Sequence, residues 1–175
     1  MLTIVILLGA AVVVFLLYTR STGGPLRIAN PITDPDIRAA AKRLEFTPSS
    51  GADPIASLHS ADLCITAMAT AFAAMDANSK ADIALRTAAF EKRLDLDPQQ
   101  ARDAATLAPW LIAQGGGATP AFERLAKRLK QLDHGPCFDK LMRVLGDVTA
   151  AGTKGMPSAA QADAMGALAR IFRTA

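Results

Sequence analysis

The chain has 175 residues, 51% hydrophobic but only 5% aromatic, with a formal net charge of +3 and a pI near 9.1. That length allows one membrane anchor and one domain with a core of ordinary size. So small a charge argues against a nucleic-acid partner, while a mildly basic balance suits an anionic membrane surface. Much of the apolar fraction is alanine, a strong helix former, and clusters of Val, Ile, Thr and Tyr are missing outside the N-terminal run, so the chain reads as all-α.

Leu2 to Tyr18 (LTIVILLGAAVVVFLLY) holds no charge, and its only polar groups are Thr3 and the Tyr18 hydroxyl. At about 1.5 Å per helical residue it reaches across a hydrocarbon core of about 30 Å with help from its flanks. Tyr18 and Arg20 stand where an interfacial aromatic and a snorkelling cation belong. A cleaved signal peptide is the competing reading. However, no Lys or Arg precedes the run and no small-x-small cleavage site follows it, so a signal anchor over 1–19 is expected. The positive charges Arg20, Arg27, Arg38, Lys42 and Arg43 all follow the run. By the positive-inside rule the rest of the chain then faces the cytoplasm from the cytoplasmic (inner) membrane. A reducing compartment suits Cys64 and Cys137, which lack any disulfide or metal-ligand spacing and read as free thiols.

Residues 20–55 read as a juxtamembrane linker holding one short helix. RSTGGPLRIANPIT (20–33) is rich in Gly and Pro, Asp34-Pro35 is a cap-then-proline start for a helix to about Leu44, and FTPSSGADP (46–54) is a loop. Residues 56–175 form the expected domain. Cys64, Met68, Phe72 and Met75 mark one face of a helix over roughly 56–76. Ser79 with Asp82 caps a helix to about Leu94 with Ile83, Phe90 and Leu94 inward. Asp97-Pro98 opens a helix that Gly115-Gly116-Gly117 ends and that Pro109 should kink or split just before Trp110, itself a core residue.

Thr119-Pro120 begins a helix with Phe122, Leu125, Leu129 and Leu132 inward. Gly135-Pro136 begins another, with Phe138, Leu141, Met142, Leu145 and Val148 on one stripe. Ser158 and Gln161 form a capping box for the last, whose core face is Met165, Leu168, Ala169 and Phe172. The expectation is an anchor followed by a compact bundle of about six or seven helices with short connections.

Residues 67–82 (AMATAFAAMDANSKAD) and 141–161 (LMRVLGDVTAAGTKGMPSAAQ) share a plan of helix, short polar loop, Ser cap and helix, a weak internal two-fold repeat. The pattern resembles the TerB-like family of tellurite-resistance-type helical bundles. Its hallmark is an Asp-Gly turn with Ser or Thr four residues after the Asp and Glu seven after it. Lys154, Gly155, Ser158 and Gln161 keep that spacing without the acids. Asp76, Ala77, Ser79 and Asp82 keep the acids, lose the glycine and fall one residue short. An anchor followed by such a region is also similar to the N-terminal part of membrane-anchored DnaJ-type co-chaperones, although no His-Pro-Asp signature follows here.

The resemblance implies divalent-cation binding at the acidic turn, through Asp76 and Asp82 with Asn78 nearby, since oxygen-rich turns suit hard cations. Ca²⁺ takes about six to eight ligands, and Lys154 stands where the second turn should offer an acid. The plainer reading makes Asp82 an N3 residue favouring the helix dipole. Arg124, Lys127, Arg128 and Lys130 are the densest basic cluster. They read as a solvated face with Glu123 available to Lys127, or, with Arg20 and Arg27, as contacts to anionic lipid. His59 and His134 lie in loops, and no nucleophile has a spaced partner. Gly115–Gly117 lacks the Lys-Ser/Thr of a phosphate loop.

The chain is therefore expected to be a non-enzymatic, membrane-tethered interaction module of TerB-like type. It would use no cofactor, be anchored in lipid through residues 2–18 and dock a protein partner. A divalent-metal-binding stress protein is the alternative.

Overall fold

From Leu63 to Met75 the sequence carries no charge, and small residues surround Met68 and Phe72. A helix that is apolar on every side has no solvent face to offer and goes to the centre. The computed structural model describes residues 32–48, 53–76, 83–133, 135–151 and 155–173, and places this stretch at the middle of the molecule. Among the described residues there are seven helices and no strand. These are α1 Pro35–Arg43, α2 Ala61–Ala74, α3 Ile83–Leu94, α4 Pro98–Gly115, α5 Ala118–Asp133, α6 Cys137–Ala151 and α7 Ala159–Arg173.

Helix α2 is buried without a break from Leu63 to Ala73. Helices α4, α5 and α6 pack around it, and α3 bridges α4 and α6. Helix α1 lies on α4, and α7 on α5. The single inward face expected for α2 is corrected here, since every side of it is covered. Its buried hydroxyls are satisfied within the helix. Thr66 Oγ1 donates to the Asp62 carbonyl at 2.9 Å and Thr70 Oγ1 to the Thr66 carbonyl at 2.9 Å. The helix also starts later than residue 56. Ser60 Oγ accepts the Leu63 N–H at 3.2 Å as an N-cap, while Asp53 organises a separate turn over 53–57 by accepting from the Ile55 N–H and from Ser57.

The core does not begin at residue 56 either. Ala41, Phe46, Ile55 and Leu58 belong to the same buried cluster as α2 and α4. Helix α1 and the 53–58 segment are thus part of the bundle; residues 20–31 of the expected linker lie outside the described residues. Leu2–Tyr18 lies outside the described residues; among the described residues no helix is long and apolar enough to cross a membrane.

Local chemistry explains several helix ends. Asp34 Oδ1 accepts from the N–H groups of Asp36 (2.8 Å) and Ile37 (3.4 Å), with Pro35 at the first helical position. Helix α1 ends in a left-handed residue, Glu45 (φ 53°). From there the Phe46 N–H reaches the Ala41 carbonyl at 2.8 Å and the Glu45 N–H the Lys42 carbonyl at 3.2 Å. This is a Schellman turn with glutamate where glycine is usual. Asp97 and Gln100 form a reciprocal capping box on α4.

Helix α4 is not split at Pro109, whose ring lies on the exposed side of the helix, clear of the core. Trp110 is half-buried and meets buried Phe46 edge-on at 6.3 Å between ring centroids. The glycine run does end α4, and its members differ in role. Gly116 is the left-handed cap (φ 95°), whereas Gly115 lets α5 approach, since a Cβ there would lie 2.5 Å from Ala121 Cβ. On α7, Ala164, Ala167 and Leu168 are buried, Met165 and Phe172 are half-buried, and Ala169 is exposed, which corrects its expected place in the core.

Candidate functional site

The two turns of the internal repeat were the residues most expected to carry chemistry. The second forms the expected capping box, with Ser158 Oγ accepting the Gln161 N–H at 3.2 Å and Gln161 Oε1 accepting the Ser158 N–H at 2.9 Å. Gln161 is only 3% exposed, and its Nε2 donates to the Phe72 carbonyl at 2.9 Å. The start of α7 is thereby bonded to the last turn of α2, just before the first turn of the repeat. A cap motif was readable from Ser158 and Gln161; the bond across the molecule was not.

Asp76 is half-buried at the end of α2, its N–H donating to the Ala73 carbonyl at 3.2 Å. Asp82, Asn78 and Lys154 lie outside the described residues, so the expected pairing of Asp76 with Asp82 does too. Among the described residues no group of three His, Cys, Asp or Glu side chains gathers as a metal site would require. Among the described residues the exposed large apolar side chains are Leu85 at 58% and Met156 at 74%. Leu85 is in the first turn of α3, which follows the first repeat turn; Met156 is in the second repeat turn itself.

The basic cluster on α5 disperses in space. Arg124 pairs with Asp53 and donates to the Gly115 carbonyl at 3.3 Å, while Arg128 donates through Nε to the Leu58 carbonyl at 2.8 Å and through a second nitrogen to the same oxygen. These two guanidinium groups clamp the 53–58 segment onto α5. Lys130 turns the other way and donates to the Ile171 carbonyl at 2.8 Å near the end of α7, and Lys127 is left exposed on the outer face. Helical geometry accounts for this: at about 100° per residue Arg124 and Arg128 lie about 40° apart, whereas Lys130 lies about 120° from Arg124, with Lys127 between them. Arg20 and Arg27 lie outside the described residues.

Two further ion pairs join helices. Arg43 donates Nε and a terminal nitrogen to the two Asp103 carboxylate oxygens, both at 2.7 Å, linking α1 to α4; Asp103 is 3% exposed and also accepts from Gln99 at 2.9 Å. Arg93 holds Asp147 at 2.7 and 3.0 Å, linking α3 to α6. The guanidinium hydrogen bonds hold both carboxyls below the ordinary carboxylate range against the opposing effect of burial. Sequence reading missed Asp103. The available signal was an acid sharing helical spacing with Leu107 and Trp110 among alanines.

Both cysteines are free. Cys64 is buried, and its thiol donates to the Leu125 carbonyl at 3.2 Å; burial pushes it up to about 12. Cys137 is pushed up to about 11 by burial and then by Asp133, whose carboxylate also accepts the Cys137 N–H. Neither is a thiolate at neutral pH, so neither is an activated nucleophile. His59 is exposed and His134 lies outside the described residues. Comparison with known protein families, with characterised proteins and with solved structures returned no match.

Proposed function

We propose that this chain is a membrane-tethered helical docking module of TerB-like type, held in the cytoplasmic membrane by Leu2–Tyr18 with its bundle on the cytoplasmic side. The uncharged run flanked by Tyr18 and Arg20 supports the anchor, and the arginines and lysines that follow it support the orientation. The TerB-like reading is supported by the Ser158–Gln161 box and its bond to Phe72, which bring the second repeat turn against the helix that leads into the first.

The observation that carries docking is the exposure of Leu85 and Met156, whereas the other large apolar side chains among the described residues lie in or against the core. A protein partner covering Leu85 and Met156 would remove their apolar surface from water. Confinement to a surface raises the effective concentration of such a module towards partners in the same membrane. The test is affinity capture with the full chain in mild detergent, comparing the wild type with the Leu85→Ser/Met156→Ser double variant. A specific partner retained by the wild type and lost from the double variant is expected. Equal capture by both would remove these residues from the interface.

A further inference from the structure

We propose that α1, with Phe46, is a releasable strap whose opening lengthens the tether between membrane and bundle while the remaining helices stay folded. The lengthening rests on the anchor proposed above; the strap itself does not.

Helix α1 has nine residues, too few to hold helical form alone in water. It packs substantially on α4 alone, and its fully buried helical residues are two alanines, Ala40 and Ala41. Ile32, Ile37 and Leu44 pack half-buried against the core, and two stronger fastenings add to them. Phe46 is 3% exposed against the edge of Trp110, and Arg43 grips Asp103 with two hydrogen bonds. The turn that aims Phe46 inward passes through Glu45 at φ 53°, a conformation that L-residues other than Asn and Asp disfavour. By contrast, α2 buries every residue from Leu63 to Ala73. Local opening follows buried contact, so α1 belongs to the low end of the stability range and α2 to the high end.

The next segment fixes where opening stops. Arg124 holds Asp53, Arg128 holds the Leu58 carbonyl, and Ile55 and Leu58 are buried. An opened strap therefore peels back to Asp53 and no further. With α1 docked, residues 20–31 separate anchor from bundle and extend at most roughly 40 Å at about 3.5 Å per residue. With α1 released, residues 20–52 do so and extend at most roughly 115 Å. A surface module that samples partners at variable height gains reach without unfolding its core.

Hydrogen exchange on the full chain in nanodiscs tests the strap. Amides of 35–46 should exchange ahead of α2, α4 and α5. Asp103→Asn should speed them about tenfold or more with α2 unchanged, and Glu45→Gly should slow them. In the Phe46→Ser/Asp103→Asn variant, which lacks both fastenings, neutron reflectometry on a supported bilayer should find the protein layer about 10 Å further out, as expected for a flexible linker of that added length. Exchange of 35–46 in one step with α2, or a double variant whose layer stays in place, would overturn the proposal. The same exchange order is readable in detergent, so failure of the anchor shows separately as a chain that does not enter the bilayer.

Discussion

Helices α1 and α2 are both rich in alanine, yet α2 is buried from Leu63 to Ala73 while α1 fully buries only Ala40 and Ala41. In α2 the alanines, threonines and Cys64 leave no charge between Asp62 and Asp76, and small side chains let α4, α5 and α6 close in on all sides. In α1 three consecutive alanines are flanked by Asp36, Arg38, Lys42 and Arg43, so one side only is buried and the helix rests chiefly on one neighbour. Composition alone does not separate the two; the placing of charge does. A run that excludes charge becomes a centre, whereas one that carries charge every turn becomes a cover whose attachment depends on a few side chains.

The largest expected effects lie in α2. Phe72→Ala empties a buried site against Phe122, ring centroids 5.9 Å apart, and should destabilise the bundle by about 3–5 kcal/mol in chemical denaturation. Ile37→Ala on α1, where the side chain is half-buried, should cost well under half of that. Comparable losses at the two sites would erase the contrast. Gly115→Ala tests the packing around the centre from outside it. The added methyl meets Ala121 backbone and side chain at 2.8 and 2.5 Å, so a loss of about 1–3 kcal/mol is expected.

Gln161→Ala removes the donor to the Phe72 carbonyl and one half of the α7 capping box. A loss of about 1–3 kcal/mol is expected, with exchange rising first in the last turn of α2 and the first of α7. Acid acts on the interhelical pairs. Asp103 and Asp147 have carboxyls lowered by Arg43 and Arg93, so as pH falls the unfolded chain binds protons before the folded one. Their stabilisation is complete above the ordinary carboxylate value, about 3.9, and is lost as pH falls through the lower folded values. Thermal melts should be flat in this respect from pH 5 to 7 and decline below pH 4, with α1 exchange rising before that of α2. The smallest change is Glu45→Gly, which relieves a left-handed glutamate and should stabilise α1 by about 1 kcal/mol or less.

Much of the bundle was legible because its signals are local. Asp34-Pro35, Asp97-Pro98 and Ser158 with Gln161 place helix starts through bonds between residues two or three apart, and Gly116 ends α4 by its left-handed backbone. Periodicity likewise identified Phe122, Leu125 and Leu129 as inward. What was not legible depends on partners distant in sequence. The membership of Phe46, Ile55 and Leu58 in the core moves the domain boundary back before α1, and no local pattern in a Pro/Ser/Gly-rich stretch announces that.

The same limit governs the candidate site. Arg124, Lys127, Arg128 and Lys130 are neighbours in sequence but turn towards the 53–58 segment, the outer face and α7. A basic stretch on a helix has no common direction until its neighbours are known. Leu85 gave no signal of exposure, because a leucine in the first turn of an amphipathic helix reads as core unless the packing of that turn is known.

The most direct test of the account is membrane retention of the full chain against the chain from Ile32 onward, followed through alkaline carbonate and high-salt washes. The full chain should stay with the bilayer through both washes, while the shorter chain should be released, folded and helical by circular dichroism. Release of the full chain by carbonate would contradict the tether, and with it the proposal that this bundle works at a membrane surface.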